Sequence, residues 1–352
     1  MSIANWIKTY RFRKAQKALP LLPETHFVSN THLVVKCDGI GDYILCRNFF
    51  EILKEKWGPL SLCANQAVKD LALALDSDLF EQCIWIDRPR FTNDLNYHLQ
   101  CLSQIHREFK RVIQPTYSRT FFEGDSLVWA AQSKQKIGFE GDLNNSDKWT
   151  QNLTDSFYTQ LVKTPKDTLF EFDRNKLFFE TILGQPINMK APLIEPLFPL
   201  SKQFILLFPS TGSPYRNWSI EYFLKLEDKL KQQHQTVVWV LNPHFQVSLP
   251  PTSHVFQSES LLQSLKLLHQ AKAVVCGDTG LFHMSAALNI PTVCISNGNH
   301  RGRFHPYPEN MEKPVKMVYH PKAHTLPLGS HSALPMKDIT PERVLEALKA
   351  FL

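Results

Sequence analysis

Asp42 is the first residue in this chain whose setting points to chemistry. It follows Leu33-Val34-Val35-Lys36-Cys37-Asp38-Gly39-Ile40-Gly41 and precedes Tyr43-Ile44-Leu45. An apolar run breaks there at two glycines and resumes with helical spacing, so the stretch reads as strand, tight turn and helix. Such a turn leaves backbone N–H groups open to a ligand. It also sets a carboxylate at the mouth of a sheet, the edge where open α/β sheets bind their ligands. A carboxylate so placed can take a proton from an attacking hydroxyl, and Asp38 is its neighbouring competitor. A dinucleotide fingerprint is the rival reading, but Ile44 stands where its third glycine belongs and Asp42 would oppose a pyrophosphate. A glycine turn carrying a solvated aspartate is the plain structural alternative.

Two later segments share this form. Ile205-Leu206-Leu207-Phe208 runs into Pro209-Ser210-Thr211-Gly212-Ser213-Pro214-Tyr215-Arg216, and Val274-Val275-Cys276 runs into Gly277-Asp278-Thr279-Gly280-Leu281-Phe282-His283. With these, the chain between about residue 31 and residue 310 resembles the bacterial heptosyltransferases, glycosyltransferase family 9. The third segment is the most specific: Asp278-Thr279-Gly280, His283, the small-residue run Ala286-Ala287-Leu288, then Pro291-Thr292-Val293. Lys36 ahead of the first turn and the pair Gly41-Asp42 also fit the family pattern.

The resemblance implies an α/β protein of two facing Rossmann-like domains, the GT-B glycosyltransferase architecture. Residues 25–190 would bind acceptor and residues 191–338 nucleotide sugar, flanked by a basic arm (1–24) and a last helix (339–352) that crosses back to the first domain. It implies an inverting, metal-independent transfer of heptose from ADP-heptose to a lipopolysaccharide or other surface-glycan acceptor. No cofactor beyond the nucleotide sugar is expected.

Asp42, rather than Asp38, would be the base on the family pattern. The hydroxyls and backbone of Ser210, Thr211, Gly212 and Ser213, with the charge of Arg216, would hold the diphosphate. The family usually has Lys at the position of Arg216, and arginine brings a different geometry. The helix starting at Thr279 offers unpaired N–H groups and a favourable dipole. Asp278 would cap that helix by accepting backbone hydrogen bonds, leaving Thr279, Gly280 and Leu281 to face the phosphate. His283, one turn on, would prop this loop. Asn242 stands where adenine-nucleotide members often carry a ribose-binding acid. Lys36 and Gly41 flank the base, and Arg301 and Arg303 sit in a loop of exposed character within reach of the donor. A same-fold protein glycosyltransferase, a nucleotide-sugar epimerase and a non-catalytic sugar-nucleotide-binding module remain open.

The elements that must position these residues alternate between helix and strand. Helices are expected over Tyr43–Lys56, Ala67–Leu75 and Asn93–Glu108, with strands at Leu60–Cys63 and Cys83–Ile86. Asp76-Ser77-Asp78 has the form of a metal-binding Asp-x-Asp but falls where a helix should end. Ile137-Gly138-Phe139 reads as a turn after a strand, and Phe172–Leu183 as a helix. Prolines mark a linker over Gly184–Ser201. Beyond it the pattern gives strand Phe204–Phe208, helix Ser219–Gln233, strand Thr236–Leu241, helix Ser258–Gln270, strand Ala273–Cys276, helix Thr279–Leu288 and strand Thr292–Ser296. Thr340-Pro341-Glu342 starts a final helix.

The 352 residues suffice for two domains, and 43% hydrophobic with 20% charged residues is a globular composition. No apolar run is long enough to span a bilayer and no signal-peptide pattern opens the chain, so a cytoplasmic protein is expected. Seven cysteines without a Cys-x-x-Cys pair give neither a disulfide framework nor zinc spacing. Of the net charge of +6, five cations (Lys8, Arg11, Arg13, Lys14, Lys17) precede the first acid, Glu24. The remainder is nearly balanced, which argues against a nucleic-acid partner. Residues 1–18 mix those cations with Ile3, Trp6, Ile7 and Tyr10, a pattern suited either to peripheral contact with an anionic membrane or to packing on the protein's own domain.

Overall fold

The computed structural model describes residues 3–19, 29–165, 169–243 and 245–352. Twelve described strands form two all-parallel sheets. The first contains β1 (Ser29–Lys36), β2 (Leu60–Asn65), β3 (Phe80–Ile86), β4 (Phe109–Gln114), β5 (Lys136–Phe139) and β6 (Gln160–Val162). The second contains β7 (Phe204–Phe208), β8 (Val237–Leu241), β9 (His254–Gln257), β10 (Ala271–Gly277), β11 (Thr292–Ser296) and β12 (Val315–Tyr319).

The orders are β3-β2-β1-β4-β5-β6 and, read from its other edge, β9-β8-β7-β10-β11-β12. Each is the doubly wound Rossmann order 3-2-1-4-5-6, so each sheet reverses direction between its first and fourth strands. Helices on both faces of a parallel sheet bury the central strands on both sides. Accordingly β2, β10 and β11 are nearly continuous buried runs.

The chain divides into two compact units. The first takes the chain up to Gly39, then Cys46–Lys166 and Arg174–Ile187; the second takes Ile40–Leu45, the 167–173 stretch and Asn188–Leu352. The first core joins Leu33, Val35, Phe91, Leu102, Ile105 and Val112 with Ala15 of the N-terminal helix Ile3–Ala18 and with Leu19 just after it. The second joins Leu207, Trp218, Trp239, Val275 and Ile295 with Val344 and Leu348. The last helix, Pro341–Lys349, is therefore built into the second unit, against the helix Ile220–Gln232, β11 and β12. This corrects the expectation that it returns to the first domain.

Two other expectations change. The helix expected over Tyr43–Lys56 is two helices, Ile40–Ile44 and Asn48–Trp57. Arg47, between them, is buried and grips Asp76 through both carboxylate oxygens, at 2.6 and 3.0 Å. Asp76 itself ends the helix Lys69–Asp76, as the helix-end reading of Asp76-Ser77-Asp78 requires. Ile137-Gly138-Phe139 is not a turn but most of β5. Gly138 is needed there for closeness, since a Cβ would lie 2.5 Å from the Tyr158 ring.

Candidate active site

In a doubly wound sheet the loops leaving the two strands at the reversal point diverge and open a crevice. In the second unit those loops follow β7 and β10, and they carry Ser210–Arg216 and Asp278–Thr279.

The loop after β7 is held by side chains. Asn217 Oδ1 accepts from the Thr211 backbone N–H at 2.8 Å and lies 2.9 Å from the Thr211 hydroxyl. That hydroxyl is also 2.7 Å from the Ser213 carbonyl. Asn242, just past β8, donates through Nδ2 to the buried Ser210 hydroxyl at 2.9 Å. A glycine permits the approach of loop and strand: a Cβ on Gly277 would stand 2.6 Å from Thr211 Cγ2.

Arg216 closes a single turn of helix, Pro214–Arg216, and reaches across to the other loop. Its Nη1 donates to Asp278 Oδ2 at 2.9 Å. Asp278 is buried, and His305 Nε2 lies 3.7 Å from the same oxygen. Burial opposes its ionisation, but the adjoining His305 ring and the charge of Arg216 outweigh it, holding the carboxyl below the usual range. His305 is itself oriented by the Tyr319 hydroxyl, 3.0 Å from Nδ1. The cap assigned to Asp278 is thus corrected. The helix Gly280–Ala287 has Thr279 at its N-cap position with no side-chain cap bond, and the Asp278 carboxylate holds Arg216 instead. Thr279, Gly280 and Leu281 form the start of that helix.

The turn bearing Asp42 belongs to this same unit. The short helix Ile40–Ile44 packs on the helix Gly280–Ala287. The crossing is possible only because both contact points are glycine: a Cβ on Gly280 would lie 2.7 Å from Ile40 Cγ2 and 3.4 Å from the Gly41 nitrogen, and one on Gly41 would lie 2.7 Å from His283 Cδ2. His283 is buried, with Nδ1 3.0 Å from the Tyr307 hydroxyl. Burial lowers its pKa to about 4, so the ring is neutral near neutral pH. His283 therefore packs against the Gly41–Asp42 turn from the helix that follows the phosphate loop. Asp42 is half-buried in the first turn of its helix.

The remaining candidates are placed differently. Lys36 is fully buried and spends its ammonium on Asp38 Oδ2 and the Pro115 carbonyl, both at 2.8 Å. Thr116 also donates to Asp38 Oδ2, at 2.9 Å. Lys36 and Asp38 thereby pin together the loops leaving β1 and β4 in the first unit. Arg303 is buried rather than exposed: its Nε donates to Glu171 Oε2 at 2.8 Å, and its carbonyl accepts from the Glu171 N–H at 2.7 Å. Arg301 is half-buried and donates to the Leu326 carbonyl at 3.1 Å. The exposed basic loop expected here is thus an ordered strut. Tyr307 and Tyr319 escape the sequence reading because nothing local in their spacing marks them, and Asn217 and His305 fall in or beside the segments it singles out but receive no role of their own.

Comparisons with known proteins bear on the family and the fold. The family model for glycosyltransferase family 9 (heptosyltransferase) matches residues 126–324. Lipopolysaccharide heptosyltransferase 2 of Escherichia coli K12 is 37% identical over 93 residues, a match that spans about a quarter of each protein: 26% of this chain and 26% of that one. Among solved structures, the E. coli heptosyltransferase WaaC with ADP superposes with a TM-score of 0.69 at 14% identity, over 92% of this chain and 100% of that one. The iron-containing dodecameric glycosyltransferase TibC from enterotoxigenic E. coli gives 0.51 at 13% identity, over 92% of this chain and 76% of that one. The likeness to these structures is one of fold. With Asp42, Arg216 and the Asp278–His283 segment gathered in one unit and the family model spanning more than half of its length, the chain belongs to glycosyltransferase family 9, the heptosyltransferases.

Proposed function

We propose that this protein transfers heptose from ADP-heptose to a lipopolysaccharide or other surface-glycan acceptor, with inversion and without a metal ion. Asp42 takes the proton of the acceptor hydroxyl as that oxygen bonds to the anomeric carbon. The bond from that carbon to the diphosphate oxygen breaks, and ADP leaves with its electron pair. A single displacement from the opposite face inverts the anomeric centre. Arg216 and the N–H groups opening the Gly280–Ala287 helix face the charge that develops on the departing diphosphate, the place where fixed donors lower a barrier most. Asn242 contacts the donor beside the Ser210 loop, and the first unit binds the acceptor.

The observation that carries this reading is the packing of the Ile40–Ile44 helix onto the start of the Gly280–Ala287 helix, which ties base and phosphate cradle into one body. Arg216 supplies a fixed cation at that cradle, and Arg47 already engages Asp76 of the Asp-x-Asp sequence. The test is turnover of purified protein with ADP-heptose and a heptose-deficient lipopolysaccharide, read as ADP release and as the mass of the glycolipid, in excess EDTA. A heptosylated product formed at an undiminished rate is expected. No product with any nucleotide sugar would overturn the transferase reading, and loss of turnover in EDTA restored by iron or magnesium would overturn metal independence.

A further inference from the structure

The N-terminal helix Ile3–Ala18 is sorted by face more sharply than its sequence shows. One side is built into the first unit: Ala15 and Leu19 lie in its core, and Phe12 packs on Phe121, Trp129 and Phe157 with ring centroids 4.9–6.2 Å apart. Two of the five cations are also spent inward. Lys8 donates to the Thr150 hydroxyl at 2.9 Å, and Arg11 donates to the Thr92 carbonyl.

The opposite side carries Trp6, Tyr10, Arg13, Lys14 and Lys17, positions that fall along one stripe of a helix and are all exposed. Trp6 is 57% and Tyr10 43% exposed, and the two rings stack on each other at 5.6 Å. Lys14 Nζ sits 5.6 Å from the Tyr10 ring centre. No acid lies in the helix or before Glu24 to offset these charges.

We propose that this outward stripe docks the protein on the surface of an anionic phospholipid bilayer. Tryptophan and tyrosine partition to the boundary between headgroups and acyl chains, and three cations beside them complement a negative lipid surface. A nucleic-acid duplex would match the cations but gives no reason for two solvent-facing rings beside them. Because the inward face holds the helix on the folded unit, the stripe is presented already ordered and docking incurs little folding entropy. The inference stands on the helix alone and does not rest on the transferase reading.

The test is sedimentation of the full chain with phosphatidylglycerol/phosphatidylethanolamine vesicles and with phosphatidylcholine vesicles. It compares the parent protein, a charge-reversed variant (Arg13→Glu, Lys14→Glu, Lys17→Glu) and a ring-deleted variant (Trp6→Ala, Tyr10→Ala). ADP binding and thermal melting are followed in parallel to show that each variant is folded. The parent should bind anionic vesicles in a salt-sensitive way and ignore neutral ones. Charge reversal should weaken binding by about a hundredfold, and ring deletion by about tenfold, with ADP binding unchanged. Failure of the parent to bind, or equal binding after charge reversal, would overturn the proposal. Unchanged binding after ring deletion would also overturn it, because attraction by charge alone serves any polyanion, nucleic acid included.

Discussion

His283 lies against Gly41 with no room for a side chain between them: a Cβ on the glycine would fall 2.7 Å from the imidazole Cδ2 and 3.3 Å from Nε2. The ring cannot easily retreat, since it is buried and its other nitrogen meets the Tyr307 hydroxyl. The position of Asp42 is thus set by a glycine one residue before it and a histidine more than two hundred residues later.

Gly41→Ala should displace the turn and lower kcat by about ten- to a hundredfold, the scale of a misplaced reacting group, while ADP affinity is largely kept. His283→Ala should relieve that clash. The double variant should then lose less activity than the two single losses combined, a coupling that separate effects would not produce. Strict additivity of the logarithms of kcat would show that the contact does not position Asp42.

Asp42→Asn should reduce transfer by about two to four orders of magnitude, the usual range for a lost general base, with ADP binding intact. The amide is close in size and cannot accept the proton. Near-parent turnover would remove Asp42 from the mechanism and return attention to Asp38, whose carboxylate is engaged by Lys36 and Thr116.

Arg216→Ala should weaken ADP, GDP and UDP by a similar factor of about ten to a hundred, since it removes one charge-assisted contact and bares the buried Asp278 carboxylate to the diphosphate. Arg216→Lys should recover only part of this, because an ammonium cannot pair with Asp278 and a phosphate in the same planar geometry. Calorimetry with the three nucleotides would check both. Unequal losses would move Arg216 away from the diphosphate, and a preference for UDP or GDP in the parent would exclude ADP-heptose as donor.

Acid should destabilise the fold before its carboxylates are protonated. Burial lowers His32, His98 and His283 from 6.5 to about 4. Between those values the unfolded chain binds the proton and the folded chain does not, so stability is full above pH 6.5 and falls as pH drops towards 4. For the fully enclosed His283 the loss approaches roughly 3 kcal/mol. Urea unfolding at pH 7, 5.5 and 4.5 would measure it, and a flat profile would contradict neutral burial of these rings.

Strands Phe204–Phe208 and Thr292–Ser296 are legible to the residue, because each holds an apolar run bounded by a proline or a polar turn. The Asp42 turn and the start of the Gly280 helix are legible for a similar reason, glycine at a change of hydrophobic period. What cannot be read is pairing at long range. Arg216 finds Asp278 across 62 residues and Arg303 finds Glu171 across 132, so neither the mistaken cap nor the mistaken exposed loop could be corrected from local pattern. The break at Arg47 has the same origin, a partner 29 residues away. Gly138 shows the converse error: a glycine in a strand marks a close neighbour as readily as a turn.

Ile40–Leu45 is packed with the unit whose sheet begins at Phe204, although in sequence it sits between β1 and the rest of the first unit. Two genes made by cutting this chain at its proline-rich linker would therefore not encode two self-sufficient proteins. A fragment starting at Asn188 would be missing a piece of its own interior, leaving bare the small-residue face of Gly280 and the edge of the His283 ring that Gly41 normally covers. Such a fragment would lack Asp42, the proposed base, and expose apolar surface at the same spot. A short peptide spanning Gly39–Arg47, added back in excess, is the natural patch for that surface.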